Sequence, residues 1–287
     1  MRRLYTNGKP FMVVSDAFPQ GHIPKPTVPN WFFEDADPEQ RKRLKKKVWM
    51  PLEKISLPLS QWQTVCKTPA ELFPDAENTE SSAWQMERIQ PHNSINRLTG
   101  TTGTGEFAPY GRMQQWYKKN VLLDCHIVLD ENRLAVNELR ACLDDLGAFG
   151  FGRDATIGAG KFDVLEEKIT SAENPKNIAT WITLAPCAPQ GLGYNPALSF
   201  YQPFTRFGKH GDIAVHQSGR PFKTPVLLAQ TGAIFGIENQ KPFIGQGIGG
   251  HQHKLSNTID TTVQQGYAPV LPVPFPEDLI QKLEQAA

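Results

Sequence analysis

Ten prolines fall between Pro10 and Pro74. Proline has no amide hydrogen to give to a helix or a sheet ladder, so most of this first quarter can form neither a long helix nor a central strand. It is expected to be extended and looping. One helix interrupts it: Asp37-Pro38-Glu39-Gln40 reads as an N-cap with proline in the first turn, followed by Arg41-Lys42-Arg43-Leu44-Lys45-Lys46-Lys47. Six of those seven residues are basic. A solvated helix face accounts for such a run, and contact with RNA or a protein partner is the alternative.

Regular structure is expected further on. Residues 78 to 90 are polar and read as a loop, whereas Val121 to Leu129 has apolar residues on both faces, as in a covered strand. Asn137 to Gly147 reads as a short helix, with Leu139, Leu143 and Leu146 on one face and Gly147 ending it. Further strands are expected at 161–169, 181–184, 224–229 and 233–237. Strand, helix, loop and strand without strict alternation indicate an α+β fold.

The 287 residues suffice for about two domains. A formal charge of +1 argues against nonspecific coating of nucleic acid, although a local basic patch remains compatible with phosphate contact. Cys66, Cys125, Cys142 and Cys187 form no Cys-x-x-Cys pair, so neither a zinc site nor a disulfide framework is indicated. No cofactor is expected. Met1-Arg2-Arg3-Leu4-Tyr5 lacks a signal-peptide core and no later run approaches a membrane span, which points to a cytoplasmic protein.

The segment Phe149-Gly150-Phe151-Gly152-Arg153-Asp154-Ala155-Thr156-Ile157-Gly158-Ala159-Gly160-Lys161-Phe162 carries the functional signal. Its glycines allow positive φ and close approach of peptide N–H groups to a ligand, and Arg153 and Lys161 add charge suited to a phosphate. The aromatic residues are expected to pack beside the loop. It is not a nucleotide-hydrolase loop, because Phe162 stands where a magnesium-binding hydroxyl is needed. Nor is it a dinucleotide fingerprint, which requires a third glycine and a following helix. On these residues alone, a phosphate grip and a tight connection that uses glycine for geometry both remain open.

Three further strings accompany the loop in order: Val14-Ser15-Asp16-Ala17-Phe18-Pro19 with Pro24-Lys25-Pro26, Pro91-His92-Asn93-Ser94-Ile95-Asn96-Arg97-Leu98-Thr99-Gly100-Thr101-Thr102-Gly103, and Val263-Gln264-Gln265-Gly266-Tyr267-Ala268-Pro269. Together they resemble the RAMP superfamily of CRISPR-associated proteins, and within it the fourth Csm subunit of type III-A interference complexes. The resemblance implies two tandem ferredoxin-like, RRM-related domains, 1–170 with a proline-rich and basic-helix insertion and 171–287. It also implies a noncatalytic RNA-binding subunit that caps the 5′ handle of crRNA, with the large polymerase-like subunit and a backbone RAMP subunit as protein partners.

Family members open with a strand and a helix before the Ser-Asp-Ala-Phe-Pro string, which here begins at Ser15. The resemblance therefore implies a first domain shortened at its amino terminus, with an open sheet edge that makes the isolated chain aggregation-prone. Gln264 stands where the family pattern tends to have histidine.

Within this frame the RNA-binding candidates are Gly150, Gly152, Arg153, Gly158, Gly160 and Lys161 in the loop, with Asp154 supporting Arg153 or capping the turn. In the 93–103 string Arg97 is the best phosphate or base contact, and Asn93, Asn96 and Thr99 suit 2′-hydroxyls or base edges; the alternative is a polar hairpin that satisfies its own turns. Arg206 and Lys209 lie in a basic segment whose Phe204 and Phe207 read as core. Gly245-Gln246-Gly247-Ile248-Gly249-Gly250 matches a dinucleotide pattern but lacks the apolar helix after it, and His251 with His253 makes a weak metal pair, so no metal site is assigned. The rival function is a metal-independent RAMP endoribonuclease processing crRNA precursor, with His92, His126 or His210 as acid or base.

Overall fold

The computed structural model describes residues 5–29, 32–33, 41–73, 84–152, 154–170, 178–210, 221–237, 241–250 and 253–286. The N-cap expected at Asp37 lies outside them. Among the described residues no helix is long and apolar enough to cross a membrane.

In the first half the strands are β1 (Met12–Pro19), β2 (His22–Pro24), β3 (Trp49–Pro51), β4 (Gln85–His92), β5 (Tyr110–Tyr117) and β6 (Leu123–Leu129). They pair antiparallel as β1–β6, β2–β3 and β4–β5. Residues 85–90, expected as loop, thus belong to β4: cross-strand pairing with Tyr110–Tyr117 overrides their polar composition. Among the described residues of the proline-rich region the helices are short, namely Arg41–Lys45, Leu59–Val65 and Pro69–Leu72. Of the basic run, Lys47 is taken up structurally, its Nζ donating at 2.8 Å to the Thr64 carbonyl at the end of the Leu59–Val65 helix.

The Ser-Asp-Ala-Phe-Pro string lies in β1, where the β1–β6 register shifts between Val14 and Ala17. The Ser15 hydroxyl accepts the His126 N–H at 2.8 Å at this irregularity, and the Asp16 N–H turns outward to the Leu184 carbonyl at 2.8 Å. The Thr231 hydroxyl donates to the Asp16 carboxylate. One edge of β1 is thereby tied to the second half of the chain.

The second half contributes β7 (Thr180–Thr183), β8 (Asn195–Phe200), β9 (Pro203–Arg206), β10 (Val226–Ala229), β11 (Ile234–Gly236), β12 (Phe243–Gly245), β13 (Ile248–Gly249), β14 (Val263–Gln264) and β15 (Tyr267–Pro272). Its principal sheet has the order β12-β15-β7-β11-β8 and is antiparallel throughout. Strand alternation sends Ile182 and Ile234 to one face and Trp181 and Phe235 to the other. The expected strands at 181–184, 224–229 and 233–237 are present with small shifts of boundary. No strand forms at 161–169, which runs extended without a ladder partner.

The larger core joins both halves. Phe18, Ile23, Met50, Leu59 and Trp62 pack with Ile182, Leu184, Leu198, Ile234 and Val273, and Leu283 of the helix Glu277–Ala286 closes the cluster. Trp62 is fully buried and its indole N–H donates to the Leu57 carbonyl at 2.8 Å. The cluster draws on residues from both sides of position 170, so the two halves share one apolar interior.

The string 245–250 is a packing device. Gly245 and Gly249 have φ of 101° and 106°, and a Cβ on them would stand 2.1 Å from the Gly266 carbonyl oxygen and 2.5 Å from that of Thr262. A Cβ on Gly247 would stand 2.8 Å from the Tyr5 oxygen, which also accepts the Tyr267 hydroxyl. Of the paired histidines, His251 lies outside the described residues. Gln264, at the position of the family's histidine, donates from its amide to the Gln265 carbonyl at 2.8 Å.

Because Trp62 joins both halves, Trp62→Ala is expected to cost about 3–5 kcal/mol and to lower one common unfolding transition. Calorimetry checks this; a second transition left at its original temperature would show that 171–287 folds on its own.

Candidate nucleic-acid interface

The glycine-rich loop leaves the helix Val136–Phe149. Glu138 starts that helix by accepting the Ala135 N–H at 3.0 Å, and Arg140 pairs with Asp144 one turn on at 3.0 Å. The helix runs past Gly147, the expected stop. Gly147 is needed instead for close packing, since a Cβ there would stand 2.2 Å from the Phe162 carbonyl oxygen. Gly150 is the C-cap, with φ of 103° and its N–H donating to the Leu146 carbonyl at 2.8 Å.

Beyond the loop the chain returns along the helix end. The Phe162 N–H donates to the Gly147 carbonyl at 3.3 Å, and Arg140 Nη2 donates to the Val164 carbonyl at 2.6 Å. The helix thus supplies the contacts that a sheet ladder was expected to supply to 161–169.

Inside the loop, the Phe151 N–H donates to the Gly160 carbonyl at 2.8 Å and closes the ring of chain. The N–H groups of Gly158 and Ala159 donate inward, to Ala155 and Asp154 carbonyls. The N–H groups of Gly152, Gly160 and Lys161 have no acceptor among the described residues. Gly152 and Gly158 hold φ of 106° and 88° with open space around the missing Cβ, whereas a Cβ on Gly160 would stand 1.9 Å from the Phe151 carbonyl oxygen. Two glycines therefore serve conformation and one serves contact. Arg153 lies outside the described residues. Phe149 and Phe151 are 78% and 70% exposed, so these rings face solvent instead of packing beside the loop.

Asp154 is nearly buried and receives Arg112 Nη1 at 2.7 Å, an ion pair that joins β5 to the loop. It makes no side-chain capping bond to the short turn Ala155–Ile157. Arg112 also lies over the Tyr110 ring at 5.4 Å, and Tyr110 stacks on His92 at 5.3 Å. His92, Tyr110 and Arg112 form one row because each occupies the same face of the β4–β5 arm. The sequence reading missed Arg112; its place two residues after Tyr110, on one face of a strand, was the available signal.

The 93–103 string forms the tip of this arm. Asn96 accepts the Leu98 N–H on its side chain at 2.9 Å and pairs with Thr101, while the Thr99 and Thr101 hydroxyls lie 3.1 Å apart. Asn96 and Thr99 thus hold the tip in shape. Asn93 and Arg97 are exposed, beside a Leu98 that is 96% exposed.

Arg206 and Lys209 lie on the β9–β10 ribbon, apart in the chain from both the loop and the arm. Phe204 is half-buried against the core of this region, as expected, but Phe207 is open to solvent. The three histidines sit on different elements. His210 is buried and bonded through Nε2 to the Ser256 hydroxyl at 2.6 Å, and His92 is stacked as described. Burial holds the His126 imidazole below its usual pKa, against a smaller opposing effect of Asp124, and its Nε2 has no partner among the described residues. Burial pushes the thiols of Cys66 and Cys187 up to about 11 and about 12, so neither is a thiolate nucleophile at neutral pH. Among the described residues no group of three or more potential ligands is arranged for a metal ion.

Two outcomes are expected from this geometry. A double-mutant cycle of Arg112→Ala and Asp154→Asn, read by chemical denaturation, should give a coupling of about 1 kcal/mol; additive losses would show that the pair does not join arm and loop. Gly158→Ala should cost about 1–2 kcal/mol for its left-handed backbone, and Gly160→Ala distinctly more because the Phe151 peptide must also move. Equal melting temperatures for the two variants would contradict this.

No protein-family model and no curated protein matches the sequence. Solved structures do match the fold. A chain of a Csm3–Csm4 subcomplex in the type III-A CRISPR-Cas interference complex aligns with a TM-score of 0.56 at 14% identity, over 92% of this chain and 84% of that one. A chain of a Csm1–Csm4 cassette in complex with pppApA aligns with a TM-score of 0.51 at 15% identity, over 96% and 83%. Both complexes contain Csm4, the subunit type that the four ordered strings resemble. The chain shares the fold of these chains from Csm4-containing type III-A CRISPR complexes.

Proposed function

We propose that this chain is a noncatalytic RNA-binding subunit of a type III-A CRISPR effector ribonucleoprotein, acting in antiviral defence by holding and capping the 5′ handle of crRNA. The observation that carries the reading is the glycine loop, whose Gly152, Gly160 and Lys161 N–H groups have no acceptor among the described residues and whose base is tied through Asp154 to the Arg112 arm. These N–H groups, Arg153 and Lys161 suit a phosphate; Asn93 and Arg97 at the arm tip suit sugar or base edges. The framework we infer is a pair of ferredoxin-like units dividing near residue 170.

Protein partners fit the same region. Phe149, Phe151, Ile157, Leu165 and Ile169 leave an apolar band around the loop exposed, as suits a surface buried in an assembly. The large polymerase-like subunit and a backbone RAMP subunit are the proposed occupants, in keeping with the Csm1 and Csm3 present in the similar complexes.

The test is binding of labelled crRNA handle to the wild type and to an Arg153→Ala/Lys161→Ala variant across a salt series. The variant should bind more weakly, with a salt slope lower by about one to two. An unchanged slope would remove the loop from the interface. Gly152→Val and Gly158→Val should also weaken binding although no charge is lost. The same assay addresses the endoribonuclease alternative: specific cleavage of repeat RNA without metal would replace the proposed capping role.

A further inference from the structure

The β9–β10 ribbon extends past Arg206 as a second exposed arm. The Lys223 N–H donates to the Gly208 carbonyl at 2.8 Å, the His210 N–H donates to the Pro221 carbonyl at 2.7 Å, and Lys209 stands opposite Phe222. Residues alternate between two faces. The inner face carries His210, buried against Ser256, with Val226 and Leu228 in the core. The outer face carries Phe207, Lys209 and Phe222, with Leu227 further along. Phe207 is 76% exposed, Phe222 70% and Leu227 54%.

Two bare phenyl rings on one ribbon face are costly in water unless something covers them. The charge around them restricts what that is. Among the described residues between Pro203 and Ala229 three are basic, Arg206, Lys209 and Lys223, and none is acidic. Lys209 Nζ lies 5.8 Å from the Phe222 ring centre. Rings alternating with cations on an extended face are the arrangement that single-stranded nucleic acid uses, bases stacking on the rings while cations follow the phosphates. An apolar protein surface would leave these cations desolvated and unpaired.

We propose that the outer face of this ribbon is a stacking platform for single-stranded RNA, with Phe207 and Phe222 receiving bases and Lys209 a phosphate. The platform deepens the RNA-binding reading above and rests on it, but it lies on other elements than the glycine loop and the β4–β5 arm. Because a ring accepts any base, its contribution is sequence-tolerant.

The experiment measures binding of the full chain to unstructured fluorescent oligoadenylate RNA. Four variants are compared with the wild type: Phe207→Leu/Phe222→Leu, Phe207→Trp/Phe222→Trp, Lys209→Gln and Arg153→Ala/Lys161→Ala. The leucine variant keeps apolar bulk but removes the rings. It should weaken binding roughly five-fold or more for each ring lost, with an unchanged salt slope, and the tryptophan variant should restore binding. The glutamine variant should lower the slope. Wild-type affinity in the leucine variant, with the loop variant weakened, would overturn the platform and leave the handle-binding reading standing. A weakened leucine variant beside an unaffected loop variant would support the platform and count against the loop. Failure of the wild type to bind this RNA would overturn the platform, and the handle-binding assay above would still decide the other reading. Leucine and tryptophan variants that bind equally would reduce the face to an apolar contact and overturn the stacking assignment.

Discussion

The rest of the structure depends on burial of the proline-rich segment against the principal sheet of the second half. Ten prolines deprive residues 10–74 of a continuous ladder, so side-chain burial must fix their path. Phe18, Ile23, Met50, Leu59 and Trp62 enter the interior formed with Ile182, Leu184, Ile234 and Val273. A few backbone bonds set the register: Lys25 N–H to Val48 at 2.8 Å, Thr27 N–H to Gly232 at 2.8 Å, and Asp16 N–H to Leu184 at 2.8 Å. Each of the last two joins one half of the chain to the other.

From this body the candidate RNA-binding parts project as arms and a loop, each fixed at its base and open at its end. The helix Val136–Phe149 determines where the glycine loop begins, and Arg140 determines how the chain returns. The Arg112–Asp154 pair then ties the β4–β5 arm to the loop. A charge pair in that half-buried position contributes modestly to stability, and its geometric consequence is larger: it limits how far the arm can swing from the loop. The arm's aromatic and apolar residues, Met86, Tyr110, Met113 and Trp116 among them, are left about half exposed by the chain itself. Their cost is understandable in a protein that works inside an assembly.

Much of this was legible in the sequence where local rules govern. The α+β character, the helix after Val136 and the strands at 121–129, 181–184 and 233–237 follow from periodicity. The four ordered strings carried the RAMP resemblance that the fold comparison bears out. Local rules failed where a partner element decides. Residues 85–90 are polar and read as loop until Tyr110–Tyr117 pairs with them. Residues 161–169 read as strand, yet the neighbouring helix end takes their hydrogen bonds. Gly147 looks like a helix stop, and only the returning Phe162 backbone shows why the helix continues through it.

The sequence by itself determined that the glycine loop exists, that it carries Arg153 and Lys161, and that the early chain forms no long helix, because these follow from the conformational range of glycine and proline. Tertiary structure alone decided which loop N–H groups find no acceptor among the described residues, that Asp154 takes a guanidinium from the distant Arg112, and that Phe149, Phe151 and Phe207 face water. The reason is physical. A donor is free, or a ring exposed, only in relation to groups remote in the chain, and no single segment encodes where those groups arrive.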